Sequence, residues 1–331
     1  MTTNSSSQFL EIVETLRNGE RFVLSSHARP DGDSIGSQLA LAHSLSRLGK
    51  IVRIINHDPP PTYLDTLPGV SNIEVLPAVM GAYDAAIVLE CGSLDRTEVF
   101  GLENYRVINI DHHTGNNMYG SLNWFDPSAA ACAEMIYDVV VELGMNMTPA
   151  IGIPLYAGIL TDTGSFRHAN ITNRTFNICR DIASTGVNVA NIASDIFQRS
   201  SVGKIKLMGT LLENMRLEAG GQIALLHLDE HILTTTGCPA DDMEGIINIP
   251  LSAHTIVAVI LFKIGNGSTR VSLRSKGTVN VQTVAAMFGG GGHPNASGFA
   301  FSEPYKVIAP GILEAVTKAI KDTTTNDPNS T

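Results

Sequence analysis

The sequence predicts two α/β domains: a larger first one built on a parallel sheet flanked by helices, joined by a helical linker to a smaller one with a mixed sheet. Three observations carry that reading. Short apolar runs are each broken abruptly by polar residues, helical patterns alternate with them through the first half, and composition changes beyond residue 217. The expected limits are residues 1–190, a linker over 191–217 and a second domain over 218–322, with 323–331 left as a polar, disordered tail.

Residues 21–26 (RFVLSS) read as a buried strand, followed by the polar loop HARPDGD and an amphipathic stretch over 34–48. In that stretch Ile35, Leu39, Ala42, Leu45 and Leu48 recur at helical spacing, and Gly49 supplies the stop. Residues 50–56 (KIVRIIN) form the next strand, which completes a strand–loop–helix–strand unit of a parallel sheet. The runs 85–89 (AAIVL) and 107–110 (VINI) are short and fully apolar, as interior strands are. Helices are expected over 128–143 after the Asp126-Pro127 start signal, over 151–160, and over 173–184 with Thr172 as N-cap. Residues 191–217 are helical in pattern with few breakers. Beyond them 222–228, 255–263 and 269–274 read as strands, 281–288 as a short helix, and 299–301 as a strand after a glycine-rich loop.

The 331 residues are 44% hydrophobic and 16% charged, the composition of a soluble globular protein. The first residues, MTTNSSSQFLEIVETL, lack the basic start and apolar run of a secretion signal, and no segment reaches the roughly 18 apolar residues of a membrane span. A cytoplasmic protein without a membrane partner is expected. Cys91, Cys132, Cys179 and Cys238 show no CxxC spacing, which argues against a disulfide framework or a zinc ribbon. A formal charge of -10 argues against a protein that coats long duplex DNA, because that affinity rests on many Lys and Arg contacts. A nucleotide or short oligonucleotide held by a few arginines remains compatible with it. The oligomeric state is left open, a homodimer included.

Each strong polar cluster of the first domain falls at the end of an apolar element, the edge where open parallel sheets bind ligands. His27, Asp31 and Asp33 follow the first strand, Glu90 follows AAIVL, Asp111, His112 and His113 follow VINI, and Asp162 stands in the turn ILTDTGSF after a helix. Alone, each has an ordinary reading: an Asp-x-Asp turn with Asp33 as a helix cap, a glutamate reaching solvent, a turn-forming aspartate. Four such segments in one domain favour convergence. Carboxylates and imidazoles without thiolates suit Mn²⁺, with Mg²⁺, Co²⁺ or Fe²⁺ as alternatives. Two such ions about 3.5–4 Å apart serve in-line attack at phosphorus, since both polarise the phosphoryl oxygens. In the second domain the glycine run that includes Gly291 and Gly292 precedes His293 and Asn295, and Arg270 and Arg274 lie on the strand TRVSLRSKG. Bare amides and guanidinium forks together suit a terminal phosphate. Arg96 and Arg167 are the basic residues near the first-domain motifs, with surface ion pairing as the alternative use of each.

In order along residues 21–301, the segments HARPDGDSIGS, VLECGSLDRT, Asp111-His112-His113, ILTDTGSFRHANIT and FGGGGHPNASG resemble the motifs of the DHH phosphoesterases that carry a DHH-associated C-terminal domain. Within them the likeness is greatest to the bifunctional nanoRNases and pAp phosphatases, kin to the RecJ exonucleases. The resemblance implies one ion on His27, Asp31 and Glu90, and a second on Asp33, Glu90, His112 and Asp162. It implies His113 on the scissile phosphate, Asp111 orienting the imidazoles, a water between the ions as nucleophile, and the glycine-rich segment on the far end of the substrate. The family usually has Asp where this chain has Glu90. The extra methylene moves the carboxylate outward by roughly one bond, so either the backbone retracts or Glu90 serves one ion only. Expected substrates are very short RNA oligomers and 3′,5′-bisphosphonucleotides such as pAp, in a cleft between the domains. The rival readings are a cyclic dinucleotide phosphodiesterase of the same fold, and a nucleotide-binding regulator whose metal site has degenerated through Glu90.

Overall fold

The computed structural model describes residues 3–239, 242–243, 245–265 and 267–325, arranged in two compact units, Met1–Arg199 and Ser200–Thr331. The first unit runs α1 (Thr3–Asn18), β1 (Arg21–Ser25), α2 (Gly32–Arg47), β2 (Ile51–Asn56), β3 (Ile73–Val75), β4 (Ala85–Leu89), β5 (Val107–Asp111), β6 (Leu122–Phe125), α3 (Cys132–Glu142), α4 (Pro149–Asp162), α5 (Asn173–Ala183) and α6 (Val189–Phe197). Its six strands are all parallel in the order β3-β2-β1-β4-β5-β6. The chain therefore progresses outward in opposite directions from β1 and β4. Their carboxyl ends flank the point where the order reverses, and the loops that diverge there open a crevice. Both β4 and β5 are buried along their whole length, as strands covered on both faces must be.

α2 and α4 cross at unusually short range because both present glycine at the contact. A Cβ added to Gly36 would collide with the Pro154 carbonyl, and one added to Gly158 would stand 2.9 Å from the Ala133 Cβ and from Asp33 Oδ1. This approach brings Asp33 in the first turn of α2 toward Asp162 at the end of α4. Gly36→Ala is expected to cost about 1–3 kcal/mol through overpacking and to weaken divalent-ion binding in the same variant, as read by thermal melting and calorimetric titration.

Among the helix limits that differ from the sequence expectation, two bear on the site. Asp126 accepts from the Ser128 amide (3.0 Å) and hydroxyl (2.5 Å), so its capping capacity closes a turn and α3 starts only at Cys132. α4 extends to Asp162, which therefore stands on a helix end and not in the following turn.

The second unit runs α7 (Val202–Glu213), β7 (Arg216–Glu218), β8 (Ile223–Leu228), α8 (Glu230–Thr236), β9 (Ala258–Gly265), β10 (Ser268–Ser275), α9 (Val281–Met287), β11 (Gly291–His293), β12 (Ala296–Phe301) and α10 (Tyr305–Thr325). The sheet order is β11-β12-β10-β9-β8-β7, mixed because β8 and β9 are parallel while the other pairs are antiparallel. The segment expected as a connector, 191–217, comprises most of α6 in the first unit, then α7 and the start of β7 in the second. Of the expected tail, 323–325 close α10 and 326–331 lie outside the described residues. The glycine-rich loop is in part a strand, since Gly291, Gly292 and His293 pair with Gly298, Ser297 and Ala296 in a tight hairpin. Glycines carry no side chains to display the alternation by which a strand is read.

Candidate metal centre

Asp31, not Asp33, caps α2, with its Oδ1 accepting from the Ser34 amide at 2.9 Å. Asp33 is turned inward instead and is 1% exposed. Its Oδ2 accepts from the Cys132 amide at 2.5 Å, and its Oδ1 from the Ala133 amide at 2.9 Å and the Ser37 hydroxyl at 3.2 Å. The N-cap of α3 is Ala131, which has no capping oxygen, so a carboxylate from another helix takes that place. Glu90 follows β4 with its amide still donating to the Ile110 carbonyl at 3.0 Å, and then turns at a φ of 54°. Left-handed backbone at a non-glycine residue beside a crevice is strain held by its surroundings.

The histidines are held in defined tautomers. His112 Nδ1 donates to the Ala129 carbonyl at 3.0 Å and His27 Nδ1 to the Ala28 carbonyl at 2.9 Å, which leaves Nε2 of each ring as the atom that could ligate a metal. His113 Nδ1 donates to Asp111 Oδ1 at 2.8 Å, and Asp111 is itself fixed by the Asn116 side-chain amide at 2.6 Å. Asp111 thus stands behind His113 as an orienting group.

The structure brings five of the expected residues into two overlapping sets of close donor atoms: Glu90, His112 and His113, and Asp33, His112 and Asp162. His112 Nε2 lies 3.4 Å from Glu90, 3.4 Å from Asp162 and 4.0 Å from Asp33, while His113 Nδ1 lies 3.3 Å from Glu90. Both Glu90 oxygens and His112 Nε2 are buried without a hydrogen-bond partner. Burying the Asp33 and Glu90 carboxylates beside one imidazole, with Asp162 half-buried next to them and both Glu90 oxygens unpaired, is costly without a cation, and divalent ions fit that donor set. His27 and Asp31 stand apart from these sets, 3.9 Å from each other, with His27 Nε2 against the Ser34 hydroxyl at 2.9 Å. Arg167 is turned onto its own turn, Nε donating to the Gly164 carbonyl at 2.6 Å.

Burial, reinforced by the Asp33 charge, pushes the Glu90 carboxyl up to about 8 and that of Asp162 to about 7. Burial also raises Asp33. For the histidines burial opposes protonation but the surrounding carboxylates outweigh it, so His112 rises to about 11 and His113 to about 9. At Asp111 burial is outweighed by the bonds from His113 and Asn116, which hold it below the usual carboxylate range. Every group raised in the fold binds protons more tightly folded than unfolded, so its contribution is complete below its unfolded value and is lost as pH rises to the folded one. For these groups the window runs from about 4 to about 11, and all of them act in the same direction. Chelator-treated protein is therefore expected to melt at progressively lower temperature from pH 6 to pH 10. Added Mn²⁺ should raise the melting temperature more at pH 8 than at pH 6, because ligands must be deprotonated to bind.

In the second unit Arg270, Ser272 and Arg274 share one face of β10, with Ala300, Gly298 and Ala296 opposite them on β12 and Lys263 opposite Arg270 on β9. Small residues leave that part of the face shallow, and Lys263 adds a cation that the motif reading missed; its position opposite Arg270 follows from the hairpin register. Asn295 has a structural use: its Nδ2 donates to Ser275 Oγ at 2.9 Å and lies within bonding reach of the Gly277 and Val279 carbonyls, pinning the hairpin turn to the end of β10. His293 occupies the last position of β11. In the first unit the reading also missed Asn116, the Ala129 carbonyl and the amides of α3. A helix start through Ala129, Ala130 and Ala131 with no capping side chain was the one signal that another element takes those amides.

Residues 21–160 match the DHH family, N-terminal domain, and residues 228–325 match the DHHA1 domain. Over 307 residues the chain is 34% identical to the bifunctional oligoribonuclease and PAP phosphatase NrnA of Thermus thermophilus, covering 89% of this chain and 90% of that one. The crystal structure of an exopolyphosphatase-related protein from Bacteroides fragilis superposes with a TM-score of 0.90 at 25% identity, covering 98% of this chain and all of that one. The manganese-bound exonuclease RecJ shares the fold, with a TM-score of 0.52 at 15% identity over 98% of this chain and 97% of that one. Among the described residues no helix is long and apolar enough to cross a membrane. With two domain matches in chain order and a relative aligned over nine-tenths of its length, the chain belongs to the DHH family of phosphoesterases, in the branch whose second domain is of the DHHA1 type.

Proposed function

We propose that this chain is a Mn²⁺-dependent phosphoesterase that cleaves very short RNA oligomers to mononucleotides and removes phosphate from 3′,5′-bisphosphonucleotides such as pAp. The observation that carries the reading is the crowding of Glu90, Asp33 and Asp162 about His112, with buried unpaired donor atoms that a divalent cation would satisfy. The oligoribonuclease and PAP phosphatase named among its relatives gives the substrate class. In this reading Asp33, His112 and Asp162 hold one ion, His27 and Asp31 contribute to a second, and Glu90 borders the first from the His113 side. The ions, when bound, polarise the phosphoryl group and lower the pKa of an attacking water.

The side chains supply the rest. The Ala129 carbonyl and Asp111 hold the His112 and His113 rings in one orientation, so that no reorganisation is needed as charge builds on phosphorus. His113 offers a donor to a phosphoryl oxygen. In the second unit Arg270 and Arg274, with Gly291, Gly292 and His293, bind a nucleotide phosphate, while Asn295 serves the hairpin turn itself; in the first unit Arg167 serves a phosphate near the metals. Arg270→Ala is expected to raise KM for a 5′-phosphorylated dinucleotide about 10-fold with kcat within about threefold, since a charge-assisted bond lost equally from ground and transition states changes binding alone.

The test is incubation of purified protein and Mn²⁺ with RNA dinucleotides and, separately, with pAp. Mononucleotides from the first and AMP plus phosphate from the second are expected. No product from either, in protein shown to bind Mn²⁺, would overturn the proposal.

A further inference from the structure

We propose that Glu134 and Arg174 form a positioning device that sets the two metal ligands Asp33 and His112 through one short backbone segment; the inference rests on the metal-centre reading above. Glu134 sits in the first turn of α3, is 1% exposed, and its Oε2 accepts from the Ala130 amide at 3.3 Å and from Arg174 Nη1 at 3.1 Å. Arg174 Nη2 also donates to the Glu134 carbonyl at 3.0 Å and to Asp138 Oδ2 at 2.5 Å. The Ala130 carbonyl is held from the other side by the Asn170 side-chain amide at 3.0 Å. Both polar groups of Ala130 are therefore clamped.

What lies on either side of that residue gives the clamp its use. The preceding carbonyl, of Ala129, orients the His112 ring, and the following amides, of Cys132 and Ala133, hold both oxygens of Asp33. A shift of this segment moves two ligands of the same ion together. An ordinary reading makes Glu134–Arg174 a brace between α3 and α5. That brace already exists at Tyr137, whose hydroxyl donates to Asp181 at 2.7 Å across the same pair of helices. A buried carboxylate is costly to keep for cohesion alone, and this one is bonded to the backbone between the two ligands. Groups that orient metal ligands typically change metal affinity about 10–100-fold when removed.

The experiment measures Mn²⁺ affinity by calorimetric titration, alongside melting temperature, for the full chain and for Glu134→Ala, Glu134→Gln and Tyr137→Phe. Glu134→Ala is expected to weaken Mn²⁺ binding about 10–100-fold, while Glu134→Gln, which keeps an acceptor oxygen for Ala130 and Arg174, stays within about threefold. Tyr137→Phe should lower the melting temperature and leave Mn²⁺ affinity unchanged. Should Glu134→Ala not fold, Arg174→Met carries the same comparison. Wild-type affinity in Glu134→Ala, or equal weakening in Tyr137→Phe, would overturn the positioning role while leaving the metal centre standing. Failure of the unaltered protein to bind Mn²⁺ would overturn both.

Discussion

Asp33→Asn is expected to lower kcat/KM by about 1000-fold or more while the protein stays folded, and Asp33→Ala to lose both activity and stability. The carboxylate has two separate jobs. Toward the crevice it is one of the three donors grouped with His112 and Asp162, and losing a ligand charge removes several kcal/mol of transition-state stabilisation. Toward the protein it accepts the Cys132 and Ala133 amides, the first bonds of α3. Asn retains one carbonyl oxygen for those amides, whereas Ala leaves both donors buried without a partner, at about 1–3 kcal/mol each. Steady-state kinetics and urea unfolding of the two variants separate the jobs.

Glu90→Gln is expected to act with opposite signs on stability and on metal binding. In chelator-treated protein at pH 9, above the value of about 8 to which burial raises its carboxyl, Glu90 is ionised and has no hydrogen-bond partner, so a neutral amide should raise the melting temperature by several degrees. At pH 6, where the carboxyl holds its proton in the fold but not in the unfolded chain, the gain should be smaller, vanishing only below the unfolded value of about 4.5. With Mn²⁺ present the order reverses, because the amide lacks the charge that completes the donor set, and affinity should fall by about 100-fold or more. Melting curves with chelator and with Mn²⁺ at the two pH values read out all four conditions. A variant equally stable with Mn²⁺ and with chelator, beside a wild type that Mn²⁺ stabilises, is the expected pattern.

Much of the first unit was legible because its evidence is local. AAIVL and VINI are too short and too apolar to be anything but interior strands, and each hands its next residue to the sheet edge, which is why Glu90 and Asp111 to His113 could be placed before any coordinates. The inward role of Asp33 was not legible, since the amides it accepts lie 99 and 100 residues along the chain. Nor was the backbone at Glu90: residue type said that its carboxylate is one methylene long, while the φ of 54° that turns it toward His112 and His113 is imposed by the sheet edge. α10 is absent from the sequence expectation: Pro310 and Gly311 interrupt its pattern near the start, although Ile312, Val316 and Ile320 behind them keep a buried four-residue spacing. In the hairpin, glycine hid a strand, and Asn295, chosen as a ligand-binding residue, turns its amide into the protein.

The central claim is a pair of divalent ions at the carboxyl ends of β1, β4 and β5. Crystals grown with Mn²⁺ and measured at the manganese absorption edge test it most directly. Two anomalous peaks about 3.5–4 Å apart are expected, one of them within bonding distance of Asp33, His112 and Asp162 and the other on the side of His27 and Asp31. No peak at this edge of the sheet, or a single ion bound without Asp33 and His112, would contradict the account.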